Sequence, residues 1–187
     1  MTLSSGLRLS ADAARWGVRF YARHLWIVLG LSLIPTVQRF VAVRWGQDLP
    51  TAANVAAEIL TGASRILLLY VIVRLAIADD PELGPLGRDA RRRRLRAFAE
   101  RGKSDLVVQF LVLGAAFFVL DILPNLAIEN WVAEDRRELV SSILVSAKNP
   151  TVIAFTLVWM VGVARQMILS GGRGEAAASP AGPGAGG

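Results

Sequence analysis

Apart from Arg74 and Arg165, four charged residues sit inside long apolar runs of this chain: Arg39, Glu58, Arg65 and Asp121. In hydrocarbon such a group can pair with an opposite charge, relay a proton or ion, or line a polar pathway; left alone it is costly. Their positions predict one cluster. Arg65 lies six residues past Ile59, or ~9 Å along a helix, and Asp121 lies fifteen past Leu106, or ~22 Å. In a ~30 Å core entered from opposite faces those heights coincide. Arg39, fourteen residues past Leu25, reaches nearly the same level, and Glu58 stands two turns from Arg65 on one face. The expected arrangement is a buried polar cluster of Arg39, Glu58, Arg65 and Asp121, centred on an Arg65–Asp121 ion pair. Such a pair sets helix register more than it stabilises. Pro35 and Pro124 each delete a backbone hydrogen bond and predict helix kinks.

Conventional catalytic chemistry is missing from the sequence. There is no cysteine and one histidine, His24. Thiol nucleophiles, disulfides and multi-histidine metal sites within one chain are therefore excluded. No GxSxG, HExxH or lysine-bearing phosphate loop occurs. Asp121, Glu58 and Glu129 have no accompanying nucleophile or metal set. The expectation is a non-enzymatic protein without a cofactor.

The elements that must position these residues are helices. Of 187 residues 53% are apolar and 19% charged, and the apolar ones gather into runs at 25–43, 52–78, 106–128 and 151–169. Each run can cross a membrane, where backbone groups must be satisfied internally. The predicted fold is an all-α polytopic membrane protein, with four transmembrane helices in a small bundle. LSLIPTVQ at 31–38 resembles LDILPNLA at 120–127, and VIVRLAI at 71–77 resembles GVARQMI at 162–168. These outline a candidate repeat of two helical hairpins.

The flanking segments carry their own patterns. Segment 1–24 spaces Arg15, Arg19 and Arg23 every four residues, beside Trp16 and Phe20. It predicts a basic amphipathic helix, either surface-lying or extending the first span. Segment 134–147 puts Leu139, Val140, Ile143 and Leu144 on one side. It predicts a second surface helix or an extension of the fourth span. Residues 170–187 have almost nothing to bury and are expected to be a disordered tail.

Charge sets the orientation. Loop 79–105 contains Arg88, Arg91, Arg92, Arg93, Arg94, Arg96, Arg101 and Lys103 against Asp89 and Glu100 within 88–103, a local charge of +6, equal to that of the whole chain. With the N-terminal arginines and Arg173, thirteen basic residues fall on one side of the predicted spans. Arg44, Arg136, Arg137 and Lys148 fall on the other. The side rich in arginine and lysine is the cytoplasmic one, which places both termini there. Arginine outnumbers lysine 19 to 2, as a GC-rich bacterial genome would favour. A bacterial inner membrane is the expected location. Arg74 and Arg165 lie about a turn from span ends and can snorkel.

The basic loop predicts contact with anionic lipid headgroups or an acidic partner, with Leu95 and Phe98 inserting shallowly. Nucleic acid is disfavoured, because the stretch is short and lacks interleaved aromatic residues. The expected function is an accessory or scaffold subunit, partnered by another membrane protein or by further copies of itself. The alternative is a small oligomeric transporter or channel built around Arg39, Arg65 and Asp121.

Overall fold

The computed structural model describes residues 3–45 and 49–178, and among them there is no strand. Helix α1 is Leu3–Arg23, α2 Leu25–Trp45 and α3 Thr51–Ala78. After a turn come α4, Arg88–Arg101, and α5, Lys103–Phe117. A π-helical segment, Phe118–Ile122, joins α5 to α6, Leu123–Trp131. A second π segment, Asn149–Ile153, joins α7, Glu134–Lys148, to α8, Ala154–Ala178. Four helical stretches are long and apolar enough to cross a membrane. They fall on the four runs expected from the sequence, but the third extends by three residues at each end and the fourth much further in both directions.

Two of the expected segments differ. Residues 134–147 continue into α8 as one rod, so the alternative of a helical extension holds and the separate surface helix does not. The tail expected from residue 170 is helical to Ala178, and α4 packs against its start at Gly171 and Gly172. Residues 179–187 lie outside the described residues.

Helix α8 is the organising element, packing against α1, α3 and α4. One apolar cluster joins Phe20 of α1, Val28 of α2, Leu68, Ile72 and Ala76 of α3, and Ala154 and Val158 of α8. A second joins Ala13, Phe98, Val163 and Met167, with Leu95 and Leu106 at its edge. The apolar side of α4 is therefore covered by the protein itself. Leu95 and Phe98 do not project outward for shallow insertion; their partners on α1 and α8 are closer at hand.

Helix α1 follows the same logic. Its buried positions are Gly6, Ser10, Ala13, Gly17 and Phe20, a three-to-four rhythm of mostly small residues. Small residues let helix backbones approach closely. A methyl group on Gly6 would lie 2.8 Å from Val108 Cβ, and one on Gly162 2.9 Å from the Ala13 carbonyl oxygen. The predicted amphipathic helix exists, with Arg8, Arg15, Arg19 and Arg23 exposed. Its other face meets α5 and α8.

The interior departs from what water demands. Ser32, Thr61, Ser64, Ser142, Ser146, Lys148 and Asn149 are buried, while Ile59, Ile66, Leu67, Leu139 and Ile143 are exposed. Soluble domains bury the second kind and expose the first. In α7 the aliphatic side predicted from the sequence faces outward, and the Ser142–Ser146 side faces α2. Both serines donate back to carbonyls four residues earlier, at 2.7 and 2.6 Å, so the small polar face costs little to bury.

Candidate functional site

The deepest polar groups gather at the α7–α8 junction. Lys148 is 5% exposed and Asn149 2%. The Lys148 ammonium has three donors and uses them all. It donates to the Asp121 carbonyl and carboxylate at 2.9 Å each and to Asn125 Oδ1 at 3.3 Å. The Asn149 amide donates to the Pro35 carbonyl at 3.2 Å and accepts from Arg65 at 3.0 Å. Two consecutive residues thus tie together all four membrane-length stretches. The Tyr21 hydroxyl adds α1 by donating to the Pro150 carbonyl, and burial raises its phenol pKa.

Proline explains why the junction sits here. Pro124 lies two residues past the first π segment and Pro150 lies inside the second. A proline lacks the N–H its turn requires and crowds the carbonyl four residues back. A π bulge widens that turn and leaves carbonyls available for other donors. Lys148 donates to the carbonyl of Asp121, within the first π segment. At Pro35 the chain stays α-helical, and its own carbonyl serves Asn149.

The sequence-predicted residues divide accordingly. Arg65 and Asp121 are not partners: Lys148 takes Asp121, and Arg65 takes Asn149. Arg39 and Glu58 do pair, at 3.2 Å, joined by Gln38, but Glu58 is exposed to the outside of the fold. The single level expected from the sequence is two levels. Counting along α2 from His24, Pro35 lies ~16 Å away, Arg39 ~22 Å and Arg44 ~30 Å. Arg44 pairs with Glu138 of α7 at 2.8 Å. Lys148, expected in a connecting loop, is interior.

The opposite end holds a second network, built on the acids that follow the second run, which the sequence offers as a helix cap or as partners for arginines. His24 lies 2.8 Å from Asp79, which also faces Arg23 at 3.9 Å. Asp80 binds Arg165 and accepts backbone N–H bonds from Glu82 at 2.8 Å and Leu83 at 3.0 Å. The adjacent acids at 79–80, just past an apolar run, were the available signal. Arg165, expected to snorkel, is instead held inside the fold.

Burial alone would raise the Asp80 carboxyl, but the Arg165 hydrogen bond, the two backbone donors and the arginine's charge outweigh it. Its pKa therefore falls below the usual carboxylate value. A lowered folded pKa contributes stability above the unfolded value of about 4 and loses it as pH falls through the folded value. Asp80→Asn is expected to melt roughly 3–6 °C below wild type at pH 7, for a loss of about 1.5 kcal/mol. The gap should narrow as pH drops below about 4. Thermal circular dichroism in detergent across pH 3–7 measures it, and a gap that does not change with pH contradicts the assignment.

Of the basic residues predicted to make contacts, Arg88, Arg92, Arg93, Arg96 and Lys103 are exposed. Arg96 faces Glu100 at 3.8 Å, and Arg91 donates to the Leu83 carbonyl at 3.3 Å. Arg94 lies where α4 meets Gly171 and Gly172 of α8. The side chain of Arg101 lies outside the described residues. Among the described residues no three histidine, cysteine or acidic side chains gather as metal ligands. The α7–α8 junction joins helices through charges and amides that pair with one another, with Arg65 Nε left without a partner among the described residues. No family model, curated protein or solved structure matches the chain.

Proposed function

We propose that the chain is a non-enzymatic integral protein of a bacterial inner membrane, serving as an accessory or scaffold subunit of a larger membrane or envelope complex. The observation that carries this is the inverted interior: small polar residues and the Lys148–Asn149 junction lie inside, and large aliphatic ones lie outside. Hydrocarbon or another apolar protein surface must cover the outer side chains. The third membrane-length stretch, Lys103–Trp131, is covered least, with 11% of its apolar window buried and Phe110 74% exposed. Polar groups at its middle already have partners within the chain, which favours a packing role over a reacting one.

Both termini are proposed to be cytoplasmic. With Lys148 inside the fold, thirteen basic residues on the α4 side oppose three on the other: Arg44, Arg136 and Arg137.

A small oligomeric transporter or channel is the second reading. It is favoured by Ser32 Oγ, Thr61 Oγ1 and Arg65 Nε, buried atoms that make no hydrogen bond among the described residues. Extraction of native membranes in mild detergent separates the two. A subunit co-purifies with a second membrane protein in fixed stoichiometry. A transporter purifies as a homo-oligomer whose polar atoms line a continuous path. A lone monomer would count against both.

A further inference from the structure

The geometry points to a binding site for the phosphate headgroup of an anionic phospholipid, in the cleft between the end of α3 and the start of α4. It rests on the membrane placement proposed above, and not on the accessory role. The cleft has a volume of about 640 Å³ and is lined by Arg74 of α3 and by Arg88, Arg91 and Arg92 of α4. Its remaining lining is apolar and includes Leu75 and Ile77 of α3. Four arginines therefore line one space that has no acidic residue in its lining.

The nearby acids do not neutralise them. Asp79 faces His24 and Arg23, and Asp80 is held by Arg165 and two backbone donors. Asp89 is the neighbour of Arg88 but lies outside the lining. Among the described residues the side chains of Arg74, Arg88 and Arg92 make no hydrogen bond or ion pair, and that of Arg91 makes one bond, to the Leu83 carbonyl. Unpaired like charges brought together repel, so an anion between them stabilises the arrangement. Guanidinium groups match phosphate oxygens in pairs of parallel hydrogen bonds.

The lining also selects among anions. Arg74 belongs to a membrane-length helix, four residues before its end, whereas the other three arginines belong to the helix beyond it. The cleft thus straddles the level where headgroups lie, with an apolar side on α3 for an acyl chain. A free phosphate would use only the arginines; a phospholipid would use both parts. Basic pockets between membrane helices hold anionic headgroups in this manner.

The test uses the full chain, purified in detergent, delipidated and titrated while bound lipid is counted by native mass spectrometry. Phosphatidylglycerol is expected to bind roughly tenfold tighter than phosphatidylcholine. Arg74→Gln should weaken it about fivefold, and the triple variant Arg74→Gln, Arg88→Gln, Arg92→Gln on the order of a hundredfold. Arg91 is left in place because it also holds the turn before α4. The comparison variant Arg93→Gln, Arg96→Gln, Lys103→Gln removes equal charge outside the cleft and should change binding less than about twofold. Equal losses in both triple variants, no preference for phosphatidylglycerol, or its displacement by millimolar inorganic phosphate would overturn the site. Arg74→Gln alone, at an exposed side chain without partners, decides the matter should the triple variant lose its helical circular dichroism. Failure of the wild type to fractionate with membranes would instead refute the placement on which the site depends.

Discussion

Lys148→Met is expected to destabilise the folded chain by about 3 kcal/mol, the cost of breaking a buried pair and stranding its partner. The Lys148 side chain is 7% exposed and that of Asp121 33%, so the loss should lie at the lower end of the range for buried pairs. Methionine fills much the same volume but supplies no donor. The Asp121 carboxylate and carbonyl and the Asn125 amide oxygen would then lose their shared partner. The double variant Lys148→Met, Asp121→Leu removes both charges and should recover at least about half of the loss. Denaturant titration in mixed micelles, followed by helical circular dichroism, checks both. A single variant as stable as wild type would show that the junction is incidental. A double variant worse than the single would show that Asp121 has another partner.

Gly171→Ala should detach α4 from α8. A methyl group there would lie 2.1 Å from the Arg94 carbonyl oxygen, a distance no side-chain rotation relieves because the obstacle is backbone. Overpacking costs about 1–3 kcal/mol, and this contact belongs at the upper end. The gain in helix propensity from glycine to alanine, about 1 kcal/mol, offsets only part of it. Once released, α4 exposes its run of arginines to trypsin. Cleavage within 91–96 should accelerate about tenfold or more, because the open fraction rises with the lost packing energy. Gly114→Ala is the matched control: nothing lies within 4 Å of its added methyl, so the same exchange should be neutral or stabilising. Unchanged cleavage of Gly171→Ala would mean that α4 is held elsewhere.

The membrane-length helices were legible because apolar run length is a local property. The α3 boundaries differ from the expected 52–78 only by Thr51 at the start, where Pro50 ends the preceding connection. The amphipathic character of α1 was legible from its arginine spacing. Its covering was not, because small residues such as Gly6, Ser10 and Gly17 signal close approach without naming the approaching surface. Lys148–Asn149–Pro150 read as a loop, since a lysine, an amide and a proline in sequence are usual loop material. The π segment shows otherwise: the proline is carried inside a continuous helix and the lysine is turned inward. That error moved the start of the fourth run and gave Asp121 the wrong partner. Height along a helix can be counted from sequence only as well as the run boundary is placed, and azimuth relative to three other helices cannot be counted at all.

The sequence by itself determined the number of the apolar helices, the basic side of the molecule and the lack of conventional catalytic sets. These follow from composition and period, which need no knowledge of neighbours. Only the tertiary structure decided which charges meet. It seated Lys148 on Asp121 and Arg65 on Asn149, held Asp80 to Arg165, and placed Arg74 on one cleft with arginines of α4. The physical reason is that an ion pair depends on distance and direction at ångström scale. Helix packing sets both, here through glycine contacts at 162 and 171 and proline-linked π turns at 118–122 and 149–153.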